Sequence, residues 1–307
     1  MKGDFTMKNI VKNIINVALI FAIAALAVIP LESPITNKGV EWMSRLEDEW
    51  AINELSIPGT HDSGATHSIA DVAGKCQSLS IEDQLYIGVR FFDVRLQLVG
   101  DGFNVVHSFV DQATEFEDVL DKMVGFVTEH PSEFLIVSIK KDTDSKNPEG
   151  DFAALLEGKL REHSVISEST ALPKTVGEAR GKIYVISRYE GASLGVPAYQ
   201  GWQDSTSFAI GELYVQDNYR VDNVEDKIRD IESAMTVADK CEYGLVLNFT
   251  SCYLTSGFPP TYAATPAKTI NPWLTDRLYL EARPQGVLVC DFMTSEICKA
   301  IWEVNFR

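Results

Sequence analysis

Apolar positions along this chain fall into three kinds of run. The first is continuous. Ile14 to Ile29 is broken only by Asn16, follows Lys2, Lys8 and Lys12, and ends in Ala25-Leu26-Ala27 before Pro30. A basic stretch, an apolar stretch and small residues in that order predict a secretory signal over residues 1–30. An uncleaved anchor is the alternative reading, since about 16 residues are marginal for spanning a core of roughly 30 Å. The second kind of run is short, apolar and β-branched. It predicts strands at 52–57, 89–98, 104–106, 134–139, 182–187, 213–216, 244–249 and 286–290. The third kind has helical length and spacing, and predicts helices at 116–129, 152–162, 224–240, 272–281 and 295–304, with Asp151 and Thr294 placed as N-caps.

From residue 31 to residue 307 no internal repeat or low-complexity linker interrupts the alternation of strand and helix. That alternation predicts mostly parallel pairing with crossover helices. About eight strands over about 275 residues suit one α/β domain, a (β/α)8 TIM-type barrel, better than an open sheet with a second domain. The connection between residues 98 and 104 is too short for a helix, so the barrel is expected to be irregular. Such barrels carry their chemistry at the C-terminal ends of the strands.

Composition narrows the choice of chemistry. With 44 acidic residues against 27 basic ones the chain has a net charge of −17, so it offers no basic field for nucleic acid. Anionic membranes repel it too, and any membrane contact should be apolar and local. The five cysteines form no CxxC pair, and the chain lacks HExxH and a Walker loop. In an exported protein an odd number of cysteines leaves at least one thiol unpaired within the chain. Cys290, inside an apolar strand-like run, reads as a buried small hydrophobe.

The predicted strand ends are polar. After the first comes Pro58-Gly59-Thr60-His61-Asp62-Ser63-Gly64, a His-Asp pair between two glycine turns. The second carries Asp93 and Arg95, two apart and therefore on one face. The third ends at His107, the fourth at Lys140-Lys141, the fifth at Arg188, the sixth at Asp217 with Tyr219 beyond it, and the last at Asp291. Singly, each has a plain structural explanation: a turn histidine, an Asp93 pairing inside the barrel, a solvated pair of lysines. Together they gather two of the five histidines, several cations and at least three carboxylates on one rim. The histidines His67, His130 and His163 fall in loops or helix ends and carry no functional reading.

That set suits phosphodiester cleavage. Two imidazoles titrating near neutrality supply a base and an acid, each orientable by a carboxylate such as Asp62 or Asp291. A guanidinium donates planar, charge-assisted hydrogen bonds to phosphoryl oxygens. A divalent metal would want an oxygen cage instead, so Arg95 is expected to take its place.

The motifs Leu55-Ser56-Ile57-Pro58-Gly59-Thr60-His61-Asp62-Ser63, Gly88-Val89-Arg90-Phe91-Phe92-Asp93-Val94-Arg95 and Val105-Val106-His107 resemble the catalytic X region of phosphatidylinositol-specific phospholipase C. The resemblance runs on through Ser138-Ile139-Lys140-Lys141, Val215-Gln216-Asp217-Asn218-Tyr219, Ile270-Asn271-Pro272 and Cys290-Asp291-Phe292, so it spans roughly residues 45–305, and it is strongest to the secreted bacterial enzymes. It implies His61 as general base, oriented by Asp291, and His107 as general acid, coupled to Asp62. It also implies Arg95 on the phosphate, with Lys140, Arg188 and Asp217 on the inositol hydroxyls and Tyr219 stacked on the ring. Phosphatidylinositol is the implied substrate, with glycosylphosphatidylinositol anchors sharing its headgroup. No metal cofactor is implied, because calcium-dependent relatives place a carboxylate where Arg95 stands. The chain is expected to act as a monomer in transient contact with a membrane. Bacterial relatives enter the bilayer through rim aromatics. Residues 63–86 hold no Trp, which leaves Phe258 and Tyr262 as the apolar contacts expected here.

Two rival readings remain. One is a metal-dependent glycerophosphodiester phosphodiesterase-like barrel, which Arg95 opposes. The other is an inositol-phospholipid binding protein with lapsed catalysis, which the presence of both histidines and both carboxylates opposes.

Overall fold

Residues 39–67, 74–256, 262–282 and 284–307 are described in this computed structural model, and the predicted signal or anchor lies outside them. In chain order the elements are β1 (Ser56–Thr60), α1 (Ile81–Ile87), β2 (Phe91–Val99), β3 (Gly102–His107), β4 (Val110–Glu115), α2 (Phe116–Glu129) and β5 (Leu135–Lys141). There follow α3 (Phe152–Arg161), α4 (Val176–Ala179), β6 (Ile183–Arg188), β7 (Val196–Pro197), β8 (Ser207–Ile210), β9 (Leu213–Gln216) and β10 (Arg220–Val221). The last are α5 (Val224–Ala238), β11 (Leu245–Phe249), β12 (Tyr253–Leu254), α6 (Ala264–Tyr279), β13 (Gly286–Cys290) and α7 (Ser295–Glu303).

Every neighbouring pair in the order β7-β6-β5-β2-β1-β13-β11-β9 is parallel. Apart from the hairpin strands these follow one another around the sheet in chain order, as in a (β/α)8 barrel. The barrel is irregular, as expected. Antiparallel β8 lies on the outer edge of β9, and among the described residues β7 and β8 do not pair, so the curled sheet has a seam there. The seam falls where β6, β7 and β8 follow one another without an intervening α-helix. Elsewhere helices cover the sheet. Strands β1, β11 and β13 are buried at every position, as parallel strands packed on both faces require. Helix α2 turns Phe116, Val119, Leu120, Met123, Phe126 and Val127 inward, a spacing of three and four that marks one face.

Three sequence expectations need correction. Residues 52–54 form a 3-10 turn, closed by the Glu54 carboxylate accepting from the Ala51 amide, and the strand starts at Ser56. It runs through Pro58 because the Pro58 carbonyl faces the Arg90 amide, just before β2 begins. The missing N–H points the same way, where no ladder bond is due. Next, 104–106 is not a barrel strand. It belongs to β3, which folds back antiparallel on β2 and pairs with β4, while the barrel position is filled by the two-residue β7. Finally, α6 begins at Ala264 rather than at Pro272, which lies inside it. An interior proline costs about 3 kcal/mol. Burying Pro266, Ala267 and Ile270 on the preceding turns offsets that, at roughly 1.5–3 kcal/mol for a large aliphatic side chain alone. The predicted N-caps hold: Asp151 accepts from the Ala154 amide and Thr294 from the Ile297 amide.

Candidate active site

Register decides which strand ends meet. Thr60 of β1 lies opposite Cys290 of β13, so the next residues, His61 and Asp291, come level. The His61 amide bonds the Cys290 carbonyl at 3.0 Å, and His61 Nδ1 stands 2.8 Å from Asp291 Oδ1. Gln77 locks this corner, donating from Nε2 to both the His61 and Cys290 carbonyls at 2.8 Å. Past His61 the chain turns through Asp62, whose φ of +43° is left-handed, and reaches Gly64. A Cβ on Gly64 would fall 2.7 Å from Val105 Cγ1, so only glycine lets this turn close onto β3.

On the other side, β2, β5 and β6 set Arg95, Lys140 and Arg188 in one row by their pairing. Asp93, one turn of the pleat below Arg95 and fully buried, takes Arg95 Nε at 3.1 Å on one oxygen and Arg188 Nη1 at 3.1 Å on the other. It also accepts the Asp62 amide at 3.2 Å. Arg95 then points both remaining nitrogens at the β1 turn: Nη1 lies 3.1 Å from Asp62 Oδ2, and Nη2 lies 2.8 Å from His61 Nε2.

His107 arrives by the hairpin. Leu96 of β2 pairs with Val105 of β3, so two residues later His107 is back at the level of Val94 and Arg95. Its Nε2 stands 3.4 Å from Asp62 Oδ2. The hairpin tip is tethered by the Ser108 amide to Asp142 at 2.6 Å, and Asp142 pairs with Lys140 Nζ at 2.6 Å. The structure thus brings His61, Asp62, Arg95, His107 and Asp291 into one cluster. Lys140 and Arg188 flank it. Asp217 follows β9 and accepts from Trp202 Nε1 at 3.1 Å. Tyr219 stands farther out, its hydroxyl on Asp204 and its ring against Tyr253.

Charge states follow from this geometry. A guanidinium only donates, so His61 Nε2 must offer Arg95 a lone pair, and the ring proton sits on Nδ1 facing Asp291. Burial opposes protonating His61, but the Asp291 charge and hydrogen bond, helped by Asp62, carry its pKa above the ordinary imidazole value despite Arg95. Burial also raises Asp62, only partly countered by Arg95 and the two histidines. Asp93 goes the other way: burial would raise it, yet Arg95 and Arg188 hold it well below the carboxylate range. Asp142 is likewise held at about 2 by Arg95 and Lys140 against burial.

Several contributors escaped the sequence reading. Asp142 follows Lys140-Lys141 directly and was visible only as part of a charged strand end. Trp202 lies outside any α-helix or strand, yet Arg188 stacks on its ring at 3.5 Å and its indole holds Asp217. Phe109, at the two-residue tip between β3 and β4, is 83% exposed although apolar. Of the expected membrane contacts, Tyr262 is 43% exposed and Phe258 lies outside the described residues. Cys290 is buried in the core as anticipated, and all five cysteines are free thiols.

Comparison with known proteins adds four findings. Residues 55–189 match the model of the phosphatidylinositol-specific phospholipase C X domain. A 1-phosphatidylinositol phosphodiesterase of Listeria monocytogenes is 25% identical over 288 residues, spanning 90% of this chain and 87% of that protein. One from Staphylococcus aureus is 28% identical over 275 residues, spanning 82% and 87%. The solved structure of a mutant phosphatidylinositol-specific phospholipase C from Staphylococcus aureus shares the fold with a TM-score of 0.77 at 25% identity, covering 87% of this chain and 99% of that one.

The pairing of His61 with Asp291 is open to NMR titration. The His61 ring should titrate above the ordinary imidazole value, and Asp291→Asn should lower its pKa. Neutral His61, with its Nε2 lone pair on Arg95, is therefore lost as pH falls through the raised value. The stabilising pair with Asp291 is complete below the ordinary value and is lost as pH rises through the raised one. A His61 pKa indifferent to Asp291→Asn would contradict this account.

Proposed function

We propose that this chain, whose residues 55–189 belong to the phosphatidylinositol-specific phospholipase C X-domain family, cleaves phosphatidylinositol into diacylglycerol and inositol 1,2-cyclic phosphate by acid-base catalysis between His61 and His107. One observation carries the reading. The lone pair of neutral His61 and the His107–Asp62 pair face each other across a guanidinium fixed at the same level.

The roles follow. His61 Nε2 takes the proton of the inositol 2-hydroxyl, whose oxygen attacks the neighbouring phosphorus, and Asp291 steadies the resulting imidazolium. Ring closure within one molecule needs no second reactant to be captured. Arg95 exchanges His61 Nε2 and Asp62 for the phosphoryl oxygens and offsets the charge that builds on them. The bond from phosphorus to the glycerol oxygen breaks, and His107, coupled to Asp62, gives that oxygen a proton. Lys140, Arg188 and Asp217 supply donors and an acceptor to the sugar hydroxyls, and Tyr219 offers an outer wall to the ring. Fixed positive charge from Arg95, already in place, does the work a metal would do, so turnover is expected to need no metal ion. Glycosylphosphatidylinositol anchors present the same inositol phosphate and are substrates on the same grounds.

Diacylglycerol stays in the lipid when it leaves, so the His107 side of the site must face the bilayer. Phe109 is two residues from His107 and projects from the hairpin tip, and Tyr262 adds a second apolar ring. With a net charge of −17 the contact favours neutral interfaces over anionic ones. Export completes the reading, supported by the basic and apolar order of residues 1–30.

The primary test is phosphorus NMR of phosphatidylinositol in neutral mixed micelles with excess EDTA. A cyclic-phosphate resonance should grow, and His61→Ala should slow it by about 10²–10⁴-fold. Turnover only after calcium is added would overturn the Arg95 role. Inositol lipid bound without turnover would return the protein to a binding function. At the membrane, Phe109→Ser should weaken partitioning onto neutral vesicles by about 10-fold, the lower end of the free energy of burying one such side chain, whereas unchanged partitioning would remove Phe109 from the interface. For export, protein recovered from culture medium should start beyond Ala27 on N-terminal sequencing. A chain retained whole in the cytosol would exclude it.

A further inference from the structure

The reaction leaves one potential metal ligand at the site without a task. Cys76 lies just outside α1, its thiol buried beside both histidines, and its backbone is pinned by bonds from its amide to the Ala65 carbonyl at 2.8 Å and from the Phe292 amide to its own carbonyl at 2.7 Å. Donor atoms of Asp62, Cys76 and His107 all lie within 4.8 Å of one another, and the same thiol is equally close to His61 and Asp291. Asp62 Oδ2 is buried and makes no hydrogen bond, although three cationic or ionisable groups stand within ion-pair distance.

We propose that Asp62, Cys76 and His107 form an inhibitory binding site for a soft divalent cation such as zinc. Thiolate, imidazole and carboxylate are the donors zinc prefers, with bonds of about 2.0–2.3 Å, so two ligands on one tetrahedral ion stand about 3.4 Å apart. Asp62 Oδ2 and His107 Nε2 are already 3.4 Å apart. Only the thiol has to draw in. The charges balance: the ion displaces the Cys76 proton to solvent, and thiolate and carboxylate together match its two positive charges. Arg95 loses its contact with Asp62 but keeps Asp93 at 3.1 Å and Asp142 at 3.8 Å, so no buried guanidinium is stranded. The set built on His61 and Asp291 is the weaker one, because those two groups already satisfy each other at 2.8 Å. Seating the ion ties up His107 Nε2 and Asp62. The inhibition rests on the acid role given to His107 above, whereas the binding does not.

The full-length protein, freed of metal by chelation, would be titrated with cobalt(II) and then zinc, and assayed separately on phosphatidylinositol micelles. A thiolate-to-cobalt charge-transfer band should appear and be displaced by zinc, and should be absent from Cys76→Ser and from Cys76→Ala. Zinc should inhibit the native protein reversibly with EDTA. Both variants should keep basal turnover and need well over 10-fold more zinc for the same inhibition, since even outer-shell losses cost roughly 10–100-fold in affinity. No band, or a band that survives in a folded variant, would overturn the site. A Cys76-dependent band without inhibition would overturn its inhibitory role. Absence of turnover in zinc-free native protein would count against the lyase reading instead, because the cobalt band does not depend on catalysis.

Discussion

Asp93 is the constraint on which the rest of the site depends. It is a carboxylate with no exposure to solvent, and it would be intolerable there without partners. It has two guanidinium groups, one from its own strand and one from β6, and the backbone amide of Asp62. One anion thereby fixes the direction of Arg95, the position of Arg188 and the conformation of the β1 turn that carries both His61 and Asp62. Removing one member of such a buried set typically costs about 3–5 kcal/mol. The orientation of Arg95 is therefore rigid before any substrate arrives, and rigidity of that kind is what electrostatic catalysis requires.

A second constraint is topological. Parallel strands deliver their C-terminal ends to one rim, which accounts for His61, Arg95, Lys140, Arg188, Asp217 and Asp291. His107 is delivered differently. Strand β2 overshoots the rim, and the hairpin through β3 brings the chain back, so the second imidazole comes down onto the site from outside the barrel. The same excursion leaves Phe109 exposed at the turn between β3 and β4, an apolar tip two residues from His107. The tether from Ser108 to Asp142 and on to Lys140 ties the hairpin to β5, so the overhanging segment is not left to fluctuate by itself.

The site holds a buried excess of carboxylate. Asp62, Asp93 and Asp142 stand within ion-pair distance of Arg95, and the opposite pKa displacements of Asp62 and the other two record how unevenly that guanidinium is shared. Asp93 takes the best-directed bonds and remains ionised. Asp62, within ion-pair distance of both histidines, keeps one oxygen without a hydrogen bond. An acceptor in that state responds to whatever next offers it positive charge, whether a protonated His107 or a metal ion drawn in by the Cys76 thiol.

By itself the sequence determined the alternation of strand and helix, the two N-caps, and the residues at the strand ends, because periodicity and local hydrogen bonding are properties of short segments. It also marked His61, Asp62, Arg95, His107 and Asp291 as one constellation, since chemically costly residues recurred wherever a strand stopped. Asp93 was legible as an internal pairing residue from its two-residue offset to Arg95. What tertiary structure decided was whatever depends on register and long-range contact. Pairing of Thr60 with Cys290 sets the His61–Asp291 bond, and no local pattern encodes it. The antiparallel turn of β3, the helical segment ahead of Pro272, and Trp202 under Arg188 were likewise invisible, because burial by distant segments overrides local preference at each of them. Cys76 is the sharpest case. Nothing near it in sequence suggests a ligand, and only the closing of the barrel brings its thiol between two histidines that lie far apart along the chain.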